Sequence, residues 1–109
     1  METANRAAIG RVLWFTNVPL AGARDAFGLR AGHSGSWMEA LAQLLSRVEG
    51  VDLHVAASGQ GPARSVRVGE ITHHSLPLGS SRFSIEPSKA VLGPVAELLR
   101  ALRPDIVHV

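Results

Sequence analysis

Two rhythms of apolar positions alternate along this chain. Val12-Leu13-Trp14-Phe15 is an unbroken apolar run inside Ile9 to Val18, the pattern of a strand covered on both faces. Asn17 and Pro19 close it, and a long loop containing Gly22, Gly28, Gly32 and Gly35 is expected next. Ser36-Trp37-Met38-Glu39 then has the form of a capping box, in which the serine takes a free N–H and the glutamate reaches back. Trp37, Leu41, Leu44, Leu45 and Val48 share one helical face, which predicts an amphipathic helix stopped by Gly50. Val51 to Ala57 returns to a largely apolar strand. Ser65 to Val68 and Ile71 to Leu76 flank Gly69-Glu70, a hairpin pattern ended by Pro77. Within Ser88 to Leu102, the positions Val91, Val95, Leu98 and Leu102 predict a second helix that either starts at Pro94 or kinks there. Pro104 stops it, and Asp105 to Val109 reads as a buried strand.

Apolar strands alternating with amphipathic helices predict an α/β fold, a Rossmann-like and mostly parallel sheet with helices on its faces. Right-handed crossovers would set the first strand beside the last, with ligands bound beyond their carboxyl ends. Residues 1–8 are polar and read as a disordered tail; residues 9–109 read as a partial domain, because a hydrophobic strand is an unusual terminus.

Composition narrows the chemistry. The chain has 109 residues, 46% hydrophobic and 18% charged, as a folded domain does. Its basic residues are scattered and its aromatics few, which argues against a nucleic-acid partner. The absence of cysteine removes disulfides, thiol catalysis and thiolate metal sites. No apolar run approaches a membrane span.

The loop running into the capped helix carries the candidate site. Free N–H groups at a helix start attract anions, and glycines admit a phosphate to the backbone. Gly32, His33, Ser34, Gly35 and Ser36 are therefore candidate phosphate or substrate ligands, joined by Asn17 at the mouth of the crevice. The stretch matches neither G-x-G-x-x-G nor a phosphate-binding loop with its lysine. It also departs from a nucleophile elbow, since Ser36 stands where the second glycine belongs. His73 and His74, adjacent on a strand, point to opposite faces and cannot share a metal. His54 and His108 stand alone in their strands, without a carboxylate or histidine at ligand spacing, and read as satisfied core or strand-end residues. No metal site is expected. Ala56-Ala57-Ser58 ends the second strand without the carboxylate of a dinucleotide enzyme.

In order and spacing, the segments Arg11-Val12-Leu13-Trp14-Phe15, Gly35-Ser36-Trp37-Met38-Glu39-Ala40-Leu41, Val51 to Ala57, Ser75-Leu76-Pro77 and Arg103-Pro104-Asp105-Ile106-Val107-His108-Val109 resemble the N-terminal domain of family 4 (group 1) glycosyltransferases. The resemblance implies the truncated N-terminal half of a GT-B fold, an acceptor-side domain whose C-terminal donor domain is absent. It implies a retaining enzyme that moves a sugar from a nucleotide-diphosphate sugar to a hydroxyl acceptor, in polysaccharide or glycolipid synthesis. No cofactor or essential metal is implied. The full-length enzyme would be cytoplasmic, peripheral to the inner face of the membrane, and the 109-residue chain inactive alone. Glycine-loop residues Gly32 to Ser36 would lie near the donor phosphates. Two departures stand out: Ser36 replaces a second glycine, and the family's functional histidine after the last strand has no counterpart, a role His108 does not inherit. An alternative expectation is a small Rossmann-like binding or interaction module without catalysis. An open sheet edge further predicts marginal stability or self-association.

Overall fold

The structure, a computed structural model, describes residues 10–16, 20–28, 36–59, 61–78 and 89–109. In chain order the elements are β1 (Gly10–Thr16), α1 (Ala21–Phe27), α2 (Ser36–Ser46), β2 (Val51–Ser58), β3 (Arg64–Val68), β4 (Ile71–Leu76), α3 (Lys89–Leu102) and β5 (Ile106–His108). The five strands form one sheet in the order β3-β4-β2-β1-β5. All pairings are parallel except β3 with β4. The first strand thus lies beside the last, as the crossover rule requires.

Each face of the sheet has its own core. Leu53, Val55, Trp14 and Ile71 pack with Leu20 and Ala42 on the α1/α2 side. Leu13, Phe15, Ala56 and Leu76 pack with Leu78 on the other, where Val95, Leu98, Leu99 and Leu102 of α3 cover them. The continuous apolar runs of β1 and β2 reflect this double cover.

The hairpin turns at Gly69-Glu70, with Val68 opposite Ile71. Gly69 has φ +61°, and a glycine followed by an ordinary residue is the sequence order of a type II′ turn. Gly28 ends α1 in the left-handed region at φ 71°, its N–H reaching the carbonyls of Arg24 and Asp25.

Three expectations need correction. The segment after Pro19 is not all loop: Ala21–Phe27 is helical. Its seven residues are too few to show a period, and Gly22 hides its propensity. One oxygen of Glu39 accepts the N–H of Ala21 at 2.8 Å and so caps α1, while the capping box expected with Ser36 involves a side chain outside those described. Of the expected face of α2, Leu45 does turn inward, beside Met38 and Ala42, whereas Leu41, Leu44 and Val48 do not; Leu44 is 63% exposed. The side chains of Trp37 and Val91, expected on the two helix faces, lie outside those described. Last, β5 is exposed along its length, with Ile106 at 54%, because it pairs only with β1 among the described strands.

Pro94 neither starts nor ends α3, which runs through it. Arg103 follows the helix at φ 49°, its N–H on the Leu99 carbonyl, and Pro104 prevents another turn. Arg11 ties this corner to the sheet. Its Nη1 donates to the Leu102 carbonyl at the negative end of α3, and its backbone N–H donates to Asp105 at 2.8 Å.

A candidate serine-histidine-histidine-aspartate site

The residues expected to bind phosphate give little geometry. Asn17, Gly32, His33, Ser34 and Gly35 lie outside the described residues, and Ser36 is the first residue of α2. That helix follows α1 in the connection from β1 to β2, and Glu39 in its first turn accepts the N–H of Ala21, shortly after the end of β1, so it starts at the carboxyl end of the sheet.

A different constellation stands on the α3 face. Side chains two apart on a strand share a face, and those opposite in register are neighbours. Asp52 and His54 obey the first rule on β2. Arg11 lies opposite Asp52, and Ser65 opposite His74. The result is a continuous chain of hydrogen bonds. Ser65 Oγ meets His74 Nδ1 at 2.7 Å, and His74 Nε2 meets His54 Nδ1 at 2.8 Å. His54 Nε2 meets Asp52 Oδ2 at 3.1 Å, and Arg11 Nε donates to the same oxygen at 2.9 Å.

The two imidazoles have centroids 5.1 Å apart and planes tilted by 15°. That separation is the hydrogen bond plus about one ring radius at each end. The rings therefore meet edge to edge in nearly one plane and do not stack.

Proton positions follow from the anchored end. Burial alone would raise the Asp52 carboxyl, but hydrogen bonds from Arg11 and His54, with their charge, outweigh it and hold it below the ordinary carboxylate value. An ionised carboxylate only accepts, so His54 Nε2 carries a proton and its Nδ1 accepts. His74 Nε2 must then donate, which leaves His74 Nδ1 to accept from the Ser65 hydroxyl. Burial first, then the neighbouring His54 and His73, push the His74 imidazole down to about 4, so it is neutral at physiological pH. Between Ser65 and Asp52 every donor points toward the carboxylate, and Arg11 donates to it from the other side.

Ser65 is exposed, and it opens into a cavity of about 190 Å³ lined with His74, Leu76, Pro94, Glu97 and Leu98. Pro77, which follows β4, also borders it, so it lies toward the carboxyl end of the sheet, where α/β folds bind ligands.

On the opposite face His73 is only 2% exposed, and its Nδ1 is buried without a hydrogen-bond partner among the described residues. It borders a small cavity of about 10 Å³ under α1, with Leu20, Ala23 and Phe27. Burial lowers the His73 imidazole, and the Glu39 carboxylate partly counters the shift.

The two histidines do point to opposite faces, as alternation requires. The solitary reading of His54, however, is overturned by its contacts with Asp52 and His74. A sequence signal existed: a hairpin centred on Gly69-Glu70 sets Ser65 opposite His74. Among the described residues His108 does stand apart from the other imidazoles, its ring 5.8 Å from that of Trp14. No group of three potential metal ligands occurs among the described residues, and no helix among them is long and apolar enough to cross a membrane.

No protein-family model, curated protein or solved structure matches the chain.

Proposed function

We propose that this α/β unit is the acceptor-side domain of a retaining GT-B glycosyltransferase, working with a second domain that holds a nucleotide-diphosphate sugar. The observation that carries the reading is the adjacency of β1 and β5 at the switch point of the sheet, with α2 starting at the same carboxyl end. That is where an α/β fold offers helix-start N–H groups to a phosphate. The resemblance of the opening strand, the Gly35-Ser36-Trp37 helix start and the Arg103-Pro104-Asp105 close to family 4 enzymes supplies the reaction class. An apolar recess between α2 and β5, lined by Val12, Trp14, Leu41, Leu45 and His108, adds a surface for a second domain to cover.

On this reading the amides from Gly32 to Ser36 stabilise charge developing on the leaving diphosphate, and the acceptor hydroxyl approaches from the side of this domain. Titration of the isotopically labelled chain with UDP and GDP tests it. Amide shifts confined to Gly32 through Ser36 and the end of β1 are the expected result. A folded protein with no shifts there at millimolar nucleotide would overturn the phosphate role.

A further inference from the structure

We propose that Ser65 is an activated nucleophile that accepts an acyl group from a neutral, short-chain ester, with His74 as its base and His54 and Asp52 as positioning residues. This site is separate from the helix start discussed above and does not depend on that reading.

The geometry assigns each role. A serine hydroxyl is a poor nucleophile until a base takes its proton as it attacks. His74 Nδ1, 2.7 Å from Ser65 Oγ, carries the lone pair that can do so. A buried imidazole holds a new positive charge badly. Here the charge need not stay. As His74 Nδ1 gains the serine proton, its Nε2 proton passes over 2.8 Å to His54 Nδ1. The imidazolium then forms on the ring that contacts the Asp52 carboxylate. Asp52 thus orients His54 and receives the charge next to it, the part an aspartate plays beside a catalytic histidine. Arg11 fixes that carboxylate from its other side.

Accessibility follows the same direction. His54 and His74 are each 7% exposed, so water does not interrupt the relay. Ser65 faces the cavity. Its walls combine apolar Leu76, Pro94 and Leu98 with one residue of each charge, Glu97 and Arg64. With the two charges offsetting each other, the apolar part of the lining suits a small uncharged acyl group.

The step balances without another reactant. Ser65 Oγ forms a bond to the ester carbonyl carbon, and the bond from that carbon to the alcohol oxygen breaks with its electron pair. The leaving oxygen recovers a proton from the relay or from water. Water later hydrolyses the Ser65 ester to a carboxylic acid.

General-base assistance is worth about 10²–10⁴ in rate, and this sets the scale of the test. The protein is incubated with p-nitrophenyl acetate, followed by nitrophenolate release and peptide mass spectrometry. The expected result is one acetyl group on Ser65, absent from Ser65→Ala. His74→Gln should acylate about 100-fold more slowly, with circular dichroism confirming that it is folded. Asp52→Asn changes a half-exposed side chain and is the safer second variant. The wild-type rate should be level from about pH 6 to 8, because the base is already neutral there, whereas Asp52→Asn should restore a climb toward tenfold per pH unit as hydroxide takes over. His73→Leu, on the opposite face, should leave acylation unchanged. No ester at Ser65, or an ester whose rate ignores both His74→Gln and Asp52→Asn, would overturn the proposal and leave the chain of hydrogen bonds a purely structural network.

Discussion

On the α1/α2 face of β4, His73 sits among apolar side chains with one ring nitrogen unpaired. One residue later, on the α3 face, His74 has both nitrogens engaged, one by a serine and one by a second histidine. Both imidazoles are buried, and both are pushed toward the neutral form by burial before anything else. What separates them is the strand next door. β2 offers His74 a polar neighbour in His54 and offers the other face Leu53 and Val55, so the same residue type is part of a network on one side and an expensive guest on the other. Burial alone therefore does not mark a functional histidine; a directed chain of partners leading to an opening does.

Three measurements sharpen this contrast. The largest effect belongs to what the faces share. Leu53→Ala on one side and Leu13→Ala on the other each remove a fully buried leucine, and each should cost about 3 kcal/mol in urea unfolding with the slope unchanged. Markedly unequal losses would show that one face contributes little apolar cohesion.

Acid comes next. A histidine whose folded value lies below its unfolded one binds a proton only in the unfolded chain across the interval between them. Its stabilising contribution is therefore complete above the ordinary value of 6.5 and falls away as pH drops toward about 4. A loss of about 2 kcal/mol is expected over that window, less than the full shift because the outer end of the relay meets solvent. His74→Gln should lessen the fall, with the part due to buried His73 remaining, and an undiminished fall would place the proton uptake elsewhere.

The smallest effect has opposite signs on the two faces. His73→Leu removes a buried nitrogen that has no partner and should stabilise by about 1 kcal/mol. His74→Leu strands the buried Nδ1 of His54 and should destabilise by about 1–2 kcal/mol. Shifts of the same sign would erase the distinction between the two faces.

Much of the architecture was legible because it rests on local patterns. The apolar runs of Val12 to Phe15 and Val51 to Ala57, the Gly69-Glu70 turn and the Pro104 stop each act over a few residues, and the rules of strand crossover then put the first strand beside the last. The face of α2 was less legible. Leu45 was rightly placed inward, but Leu41, Leu44 and Val48 are as hydrophobic as core residues, and only packing on the sheet chose Met38 and Ala42 in their place. Glu39 was readable as a helix-start carboxylate, but its bond to the first N–H of α1 was not, because that short element has no period to betray it.

The site divides the same way. Sequence by itself determined that His73 and His74 face apart, since alternation along a strand is covalent geometry, and that Asp52 and His54 share a face. Register and strand order then brought His54 to His74, Asp52 to Arg11 and Ser65 to an open cavity. Those pairings depend on which strands lie side by side. That choice is made by burying both faces of β2 at once, and no single segment carries the information.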